Sequence, residues 1–357
     1  MQQSVPYMSA KEAAAEWGIS QRRVSVLCGE SRIIGATIIG NMWLIPKHAE
    51  KPIDARQLKR KIDSAKPFVK WAGGKGQLLT EIKTRLPKEL GQSITKYAEP
   101  FVGGGALLFD ILQKYNISET FISDTNNALI CAYNQIKSNV ESLIQQLGIL
   151  QDEYLQLSNE ERKQYYYNKR MQFNELNTGK QKDELSLAAL MIFINKTCFN
   201  GLYRVNKKGE YNVPMGDYKR PLICDENNLR AISKLLANVR IVIGDYKKSL
   251  EFIDGNTFVY FDPPYRPLTS TASFTSYTEN GFGDREQTEL AEYARLLDEK
   301  KAKVMLSNSD PKNTNSQDDF FDKLYEGFNV QRVNANRMIN SSGAGRGKIT
   351  ELLITNY

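Results

Sequence analysis

Short blocks of β-branched and aromatic residues recur along the C-terminal four fifths of the chain, at Lys96–Glu99, 120–123, Val239–Ile243, Thr257–Phe261, 303–307, 329–334 and 351–355. Each reads as a strand, and helix-period stretches separate several of them, the signature of an α/β sheet with crossover connections. The gap between Asp124 and Val239 is too long for a single crossover. It is polar and helical at 134–182, then loop-like and basic at 195–222, so residues 136–238 read as an inserted, mainly helical domain. Tyr165, Tyr166 and Tyr167 fit a helix with mixed faces.

The first 62 residues read as a separate module with its linker. Ser9 and Glu12 have capping-box spacing, and an Ala-rich helix follows that stops at Gly18. Ser20 caps a second helix over 21–28, with Arg22 and Arg23 in its first turn and Gly29 at its end. Ile33-Ile34, Thr37–Ile39 and the run from Met42 to Ile45 are β-rich pieces separated by turns at Gly35-Ala36 and Gly40-Asn41. Helix, turn, helix and hairpin resemble the winged helix-turn-helix of excisionase or MerR-type DNA readers. The highly charged stretch 50–66 reads as a linker or exposed helix.

Charge sharpens this division. The chain of 357 residues carries 48 Lys+Arg against 41 Asp+Glu, a net +7. Residues 1–66 hold eleven of the basic and six of the acidic residues, so most of the excess lies there. A basic module points to an anionic partner such as DNA, contacted through Arg22 and Arg23.

Scarcity excludes several chemistries. With His48 as the single histidine, a multi-His metal site is ruled out and a Ser-His-Asp triad is disfavoured, and no metal is expected. The four cysteines, Cys28, Cys131, Cys198 and Cys224, form no CxxC pair, and none follows a proline as a cytosine-C5 methylation nucleophile would. Free thiols suit a reducing, cytoplasmic setting. The N-terminus shows no signal-peptide pattern, and the apolar run 187–194 is too short to span a bilayer.

Two motifs carry the chemistry. Tyr97-Ala-Glu-Pro-Phe-Val-Gly-Gly-Gly105 is a strand running into a glycine loop and then a helix over 106–113. Glycines let a backbone turn tightly against a ligand, and Asp124, at the end of the next strand, can accept from ribose hydroxyls. Asp262-Pro263-Pro264-Tyr265 follows an apolar strand. Its prolines set a rigid turn that holds a carboxylate, a carbonyl and an aromatic ring together at a strand's C-terminal end. The lone pair of an amine conjugated to a purine is delocalised. An acceptor pair on its N–H groups draws the nitrogen toward a nucleophilic geometry, and a tyrosine can stack on the base.

On these motifs, residues 66–357 resemble the Dam-type DNA adenine-N6 methyltransferases, which use S-adenosylmethionine. The order is that of the α-class: Phe68-Val-Lys-Trp-Ala-Gly-Gly-Lys75, the glycine loop, the insertion, then Asp262 to Tyr265. The resemblance implies a Rossmann-like catalytic domain over 66–135 and 239–357 and a target-recognition domain over 136–238. Trp71, Lys75, Phe101, Gly103, Gly105 and Asp124 would hold the cofactor, with Asp245 and Tyr246 near its adenine. Asp262, Pro263, Pro264 and Tyr265 would hold a flipped adenine, Asp262 also lying near the cofactor. Residues 195–204 and 210–219 resemble the hairpin with which GATC-reading members read duplex DNA. There Arg204 would pair with guanine, Phe199 and Asn200 would fill the gap left by the flipped base, and Leu202 and Pro214 would shape readout. Lys70 would also touch a base. Family members often have tyrosine where this chain has Phe199, which keeps a ring and loses a hydroxyl. A basic loop, 336–348, would contact the DNA backbone. The expected protein is a monomer or weak dimer that acts on duplex DNA without a membrane, with or without a separate cognate restriction endonuclease. Rival readings are a cytosine-N4 enzyme, a protein or RNA amine methyltransferase, and a DNA-binding regulator with a vestigial catalytic fold.

Overall fold

The structure, a computed structural model, describes residues 7–30, 32–40, 42–51, 65–71, 78–266, 282–336 and 348–357. The chain divides into two compact units, Met1–Asp63 and Ser64–Tyr357.

In the first unit β1 (Tyr7–Ser9) runs into α1 (Ala10–Trp17). Ser9 Oγ accepts from the Glu12 N–H at 3.3 Å and Glu12 Oε2 accepts from the Ser9 N–H at 2.7 Å, so the capping box is formed. Gly18 closes the helix in the left-handed region, at φ 62°. Helix α2 runs Gln21–Gly29 with Ser20 as its cap, and Glu30 rather than Gly29 is the C-cap residue. Strands β2 (Thr37–Ile39) and β3 (Met42–Pro46) pair antiparallel. The third strand differs from the sequence expectation. Ile33-Ile34 forms no strand: Ile33 is buried in the core, while Ile34, 92% exposed, sits in a turn with Gly35 at φ 79°. Tyr7–Ser9 pairs with β3 instead, giving the order β1-β3-β2. Ala13, Val24, Leu27 and Ile45 close the core between helices and sheet.

In the second unit, α3 (Leu78–Lys83) precedes β4 (Lys96–Glu99), α4 (Ala106–Lys114) and β5 (Glu119–Asp124). Five helices follow: α5 (Asn127–Ser138), α6 (Val140–Gln156), α7 (Asn159–Asn177), α8 (Glu184–Thr197) and α9 (Glu226–Leu236). Then come β6 (Val239–Ile243), β7 (Thr257–Phe261), α10 (Asp284–Glu299), β8 (Lys303–Ser309), α11 (Phe320–Leu324), β9 (Asn329–Asn336) and β10 (Lys348–Thr355). The sheet order is β6-β5-β4-β7-β8-β10-β9, parallel from β6 to β8, with β10 antiparallel to both its neighbours. All seven strand blocks read from the sequence are strands here, four of them longer by two or three residues. Central β7 is buried along its whole length, as a strand covered on both faces must be.

After β4 the chain builds outward on one side, through β5 and β6, and then returns to β4's other side as β7. Where the direction reverses, the helices leave opposite faces and a crevice opens at the strands' C-terminal ends. That crevice carries the glycine loop and the Asp262 turn.

The apolar run 187–194 is the middle of α8, buried throughout, with α5, α6 and α7 packed around it. Its side chains join the same hydrophobic core as β4, β5 and α4. By contrast α7 is polar. Tyr166 Oη donates to the Val213 carbonyl at 2.9 Å, and Asn174 exchanges hydrogen bonds with the Tyr211 backbone at 2.7 and 3.1 Å. The polar residues of α7 thus satisfy the backbone of the loop after α8.

Candidate active site

One cavity of about 1090 Å³ opens at the switch between β4 and β7. It gathers Lys70, Trp71, Phe101, Gly103, Gly105, Asp124, Asp245, Tyr246 and the whole turn Asp262–Tyr265 into one lining, although they span nearly 200 residues of sequence. Lys75, residues 52–64 of the charged stretch and the loop from Arg337 to Gly347 lie outside the described residues.

The floor is the glycine loop. Gly103 (φ 47°) and Gly105 (φ 71°) occupy the left-handed region, and Gly103 N–H donates to Asp124 Oδ2 at 3.1 Å. A Cβ on Gly103 would lie 2.7 Å from Trp71 Cδ1, so the indole rests directly on bare backbone. Asp124 Oδ1 accepts from the Asn126 N–H at 2.9 Å. Burial pushes the Asp124 carboxyl up, opposed by the N–H groups of Asn126, Gly103 and Thr125. Phe101 stacks on Tyr246 at 5.6 Å, and Phe282 meets Phe101 edge-on, which makes one end of the cavity an aromatic slot. Asp245 caps the short turn after β6 by accepting from the Lys247 N–H at 3.0 Å.

On the other side, Asp262 Oδ1 accepts from Ser307 Oγ at 2.9 Å, and Tyr265 Oη donates to Glu351 Oε2 at 2.9 Å. Between the two halves sits Glu99, which sequence reasoning passed over as part of the glycine motif. It is buried, accepts from Tyr97 Oη at 2.7 Å and lines the cavity. Burial raises its carboxyl to about 8; the nearby Asp262 charge adds to this and the Tyr97 hydrogen bond opposes it. Tyr203 is a second omission: it stacks on Trp71 and lines the cavity.

The remaining candidates lie elsewhere. Residues 197–216 fold into an antiparallel hairpin-like loop, bridged at Cys198–Met215 and Val205–Tyr211. Phe199, Asn200, Arg204 and Pro214 are exposed on it and Leu202 is half-buried; none of these five lines the cavity. Arg204 Nε donates to Asn212 Oδ1 at 2.7 Å, which fixes the plane of its guanidinium. The backbone of this loop presses on Lys70, where a Cβ on Gly201 would collide with Lys70 Cβ, and the Asn195 side chain, from the end of α8, bonds to the Lys70 N–H at 2.7 Å and to its carbonyl at 2.8 Å. Lys70 Nζ lies 3.1 Å from the Tyr218 hydroxyl. Arg22 and Arg23 belong to the N-terminal unit, Arg22 exposed in the first turn of α2.

The family described as D12 class N6 adenine-specific DNA methyltransferase matches residues 71–339. The chain belongs to this family. A type II methyltransferase of Methanocaldococcus jannaschii, M.MjaIII, is 54% identical over 294 residues, covering 82% of this chain and 99% of that protein. Another, M1.LlaDCHI of Lactococcus lactis, is 39% identical over 84% of this chain and 98% of that protein. The DNA adenine methylase of Escherichia coli is 35% identical over 80% of this chain and 93% of that protein. The N-terminal unit lies outside the D12-class match.

The protein is therefore an adenine-specific DNA methyltransferase, and a methyl donor belongs to its chemistry. The crevice fits a nucleoside-type donor. Bare glycine backbone, a buried acid beside it, an aromatic slot and acids along the wall suit a cationic ligand with a purine at one end.

Proposed function

We propose that the enzyme transfers a methyl group from S-adenosylmethionine to adenine N6 in GATC sites of duplex DNA, with the target base rotated out of the stack. The observation that carries this reading is that the Asp262 turn and the Gly103–Asp124 loop, from opposite sides of the switch point, open onto one cavity. An amine held by the first then lies within reach of a donor held by the second. Rotation is required because N6 is otherwise paired and stacked, out of reach of a crevice.

S-adenosylmethionine supplies an electrophilic methyl group on a sulfonium. Trp71, the glycine loop, Asp124, Asp245 and Tyr246 hold the donor, with Phe101 walling its purine end. Asp262 and the Pro263 carbonyl accept from the two N–H groups of the target amine, re-aiming its lone pair, while Pro264 stiffens the turn and Tyr265 stacks on the base. Catalysis is positioning and electrostatics; Asp262 is the residue whose loss stops it.

Sequence reading belongs to the hairpin loop, the exposed edge of a target-recognition region within 136–238. Arg204, its guanidinium plane set by Asn212, suits a bidentate contact to guanine. Phe199 and Asn200, exposed side by side, suit the space left by a rotated base, with Leu202 and Pro214 flanking and Lys70 behind. The N-terminal unit, with two capped helices and the β2–β3 hairpin, suits a winged helix-turn-helix that adds DNA affinity through Arg22 and Arg23. The name "type II methyltransferase" borne by two relatives supports pairing with a separate restriction endonuclease.

The test uses methyl-labelled S-adenosylmethionine and two duplexes that differ only in GATC against GTTC. Label on adenine N6 in the first alone supports the chemistry and the site preference together. Label in both keeps the chemistry and overturns GATC specificity at the central base pairs, and donor binding without label in either overturns GATC as the site.

A further inference from the structure

Strands β7 and β8 run side by side, with Phe261 paired to Leu306. The next residues, Asp262 and Ser307, are therefore neighbours, and Ser307 Oγ donates to Asp262 Oδ1 at 2.9 Å. The Tyr260 hydroxyl lies 3.0 Å from the same Ser307 oxygen. A serine hydroxyl carries one hydrogen. Committed to Asp262, Ser307 can meet Tyr260 only as an acceptor, so the chain has a direction: Tyr260 to Ser307 to Asp262. Both hydroxyl groups are buried, where their dipoles are little screened.

A second buried chain grips the far end of the turn. Gln287 Nε2 donates to the Pro264 carbonyl at 3.2 Å, and Asn308 Nδ2 donates to Gln287 Oε1 at 3.0 Å. Asn308 Oδ1 accepts from the Arg266 N–H at 3.2 Å. Gln287 and Asn308 are fully buried, where an unpaired amide is costly, so the chain holds one arrangement. Prolines remove the donors with which a turn would brace itself, and these side chains brace it from outside.

We propose that Tyr260 with Ser307, and Gln287 with Asn308, are positioning residues for methyl transfer. The first pair sets the plane of the Asp262 carboxylate and the second sets the height of the turn that carries the Pro263 carbonyl. The proposal rests on the reading of Asp262 and Pro263 as the acceptors of the target amine. Two acceptors that must meet two N–H groups of one nitrogen tolerate little rotation, and misplacement appears in the transfer step rather than in binding.

The experiment measures single-turnover methyl transfer to a GATC duplex, donor affinity by calorimetry, and base rotation by the fluorescence of 2-aminopurine at the target position. Ser307→Ala is expected to slow transfer roughly 10–100-fold, with donor affinity and the fluorescence signal within about twofold of wild type. Ser307→Thr restores most of the rate. Tyr260→Phe also slows transfer, and the double variant is no slower than Ser307→Ala, because the two act as one chain. Gln287→Met, which is close in size but has no donor for Pro264, slows transfer as well. Wild-type rates for Ser307→Ala or Tyr260→Phe, or losses that multiply, overturn the proposal. Should Ser307→Ala fail to fold, Tyr260→Phe, which loses one oxygen, decides it. Asp262→Ala is assayed alongside. Its full activity would overturn the underlying reading, whereas a dead Asp262→Ala beside a normal Ser307→Ala overturns only the positioning claim.

Discussion

The rings of Trp71 and Tyr203 stack with centroids 5.5 Å apart and planes inclined by 29°. Trp71 lies on the glycine loop, and Tyr203 sits between Leu202 and Arg204 in the hairpin loop. Along that stretch the exposed Arg204 and the buried Tyr203 alternate, as in an extended chain. One side chain faces out toward the surface assigned to DNA and its neighbour walls the cavity assigned to the donor. Tyr203→Ala removes a stack worth about 0.5–1.5 kcal/mol and is expected to weaken donor binding roughly two- to tenfold. Tyr203→Phe keeps the stack and the affinity. Calorimetry with S-adenosylhomocysteine reads the difference, and an unchanged affinity in Tyr203→Ala would remove Tyr203 from the wall.

Gly103 meets Trp71 from the other side. Gly103→Ala places a methyl 2.7 Å from Trp71 Cδ1 at a φ of 47°. The left-handed backbone alone costs about 1–2 kcal/mol, and the indole must also move off the loop. Donor affinity is expected to fall more than tenfold, roughly 1.4 kcal/mol or more, with the thermal midpoint lowered only a few degrees. Gly104→Ala, whose Cβ would lie 3.2 Å from Trp71 Cβ, is the milder control. Equal affinities for both variants would contradict this packing argument.

Glu99 makes stability depend on pH. Its carboxyl is raised to about 8 by burial, with the Asp262 charge contributing. Between the ordinary carboxylate range and about 8, the folded protein keeps a proton that the unfolded chain has lost. Unfolding then releases a proton, so stability falls as pH rises through that window, by at most about 1.4 kcal/mol per pH unit. Glu99→Gln, which keeps the Tyr97 contact as an amide, flattens that fall. Denaturant titrations of both proteins from pH 5 to about 8.5 test it; parallel curves would deny the shift. A cationic donor in the same cavity favours the ionised form, so donor binding at neutral pH should release protons. Calorimetry in two buffers of different ionisation enthalpy would show this.

Arg204 is held by one nitrogen. Arg204→Ala is expected to cost roughly 1–3 kcal/mol of discrimination against sites altered at the contacted guanine. Asn212→Ala leaves the charge but loosens its plane, so a smaller loss in the same direction follows. Transfer rates across a panel of single-base variants measure both, and unchanged selectivity in Arg204→Ala would refute the contact.

The N-terminal unit has its own core and lies outside the D12-class match. Deleting residues 1–63 is expected to preserve methyl transfer and selectivity. Duplex affinity should fall, with a shallower dependence on salt because phosphate contacts are lost. An unchanged salt slope would mean that Arg22 and Arg23 do not touch DNA.

What the chain determined by itself is what neighbours within a few residues decide. Ser9 and Glu12 form their box because both partners lie within one turn. The seven blocks of the large sheet are strands because β-branched and aromatic side chains favour a pleated, buried ribbon wherever it is placed. The glycine loop and the Asp262 turn were legible for the same reason, since glycine and proline constrain their own backbone.

Tertiary structure decided what depends on which elements become neighbours. β3 took Tyr7–Ser9 as its partner, and Ile33 went into the core instead. The meeting of Ser307 with Asp262 follows from the adjacency of β8 and β7, which no spacing in the chain encodes. Glu99 became a raised acid only when the sheet closed over it, and Tyr203 became a cavity wall only when the hairpin loop folded against Trp71. Local propensity acts over a turn or a strand, whereas strand order and burial arise from packing surfaces distant in sequence, and the pairs that shape this site belong to the second kind.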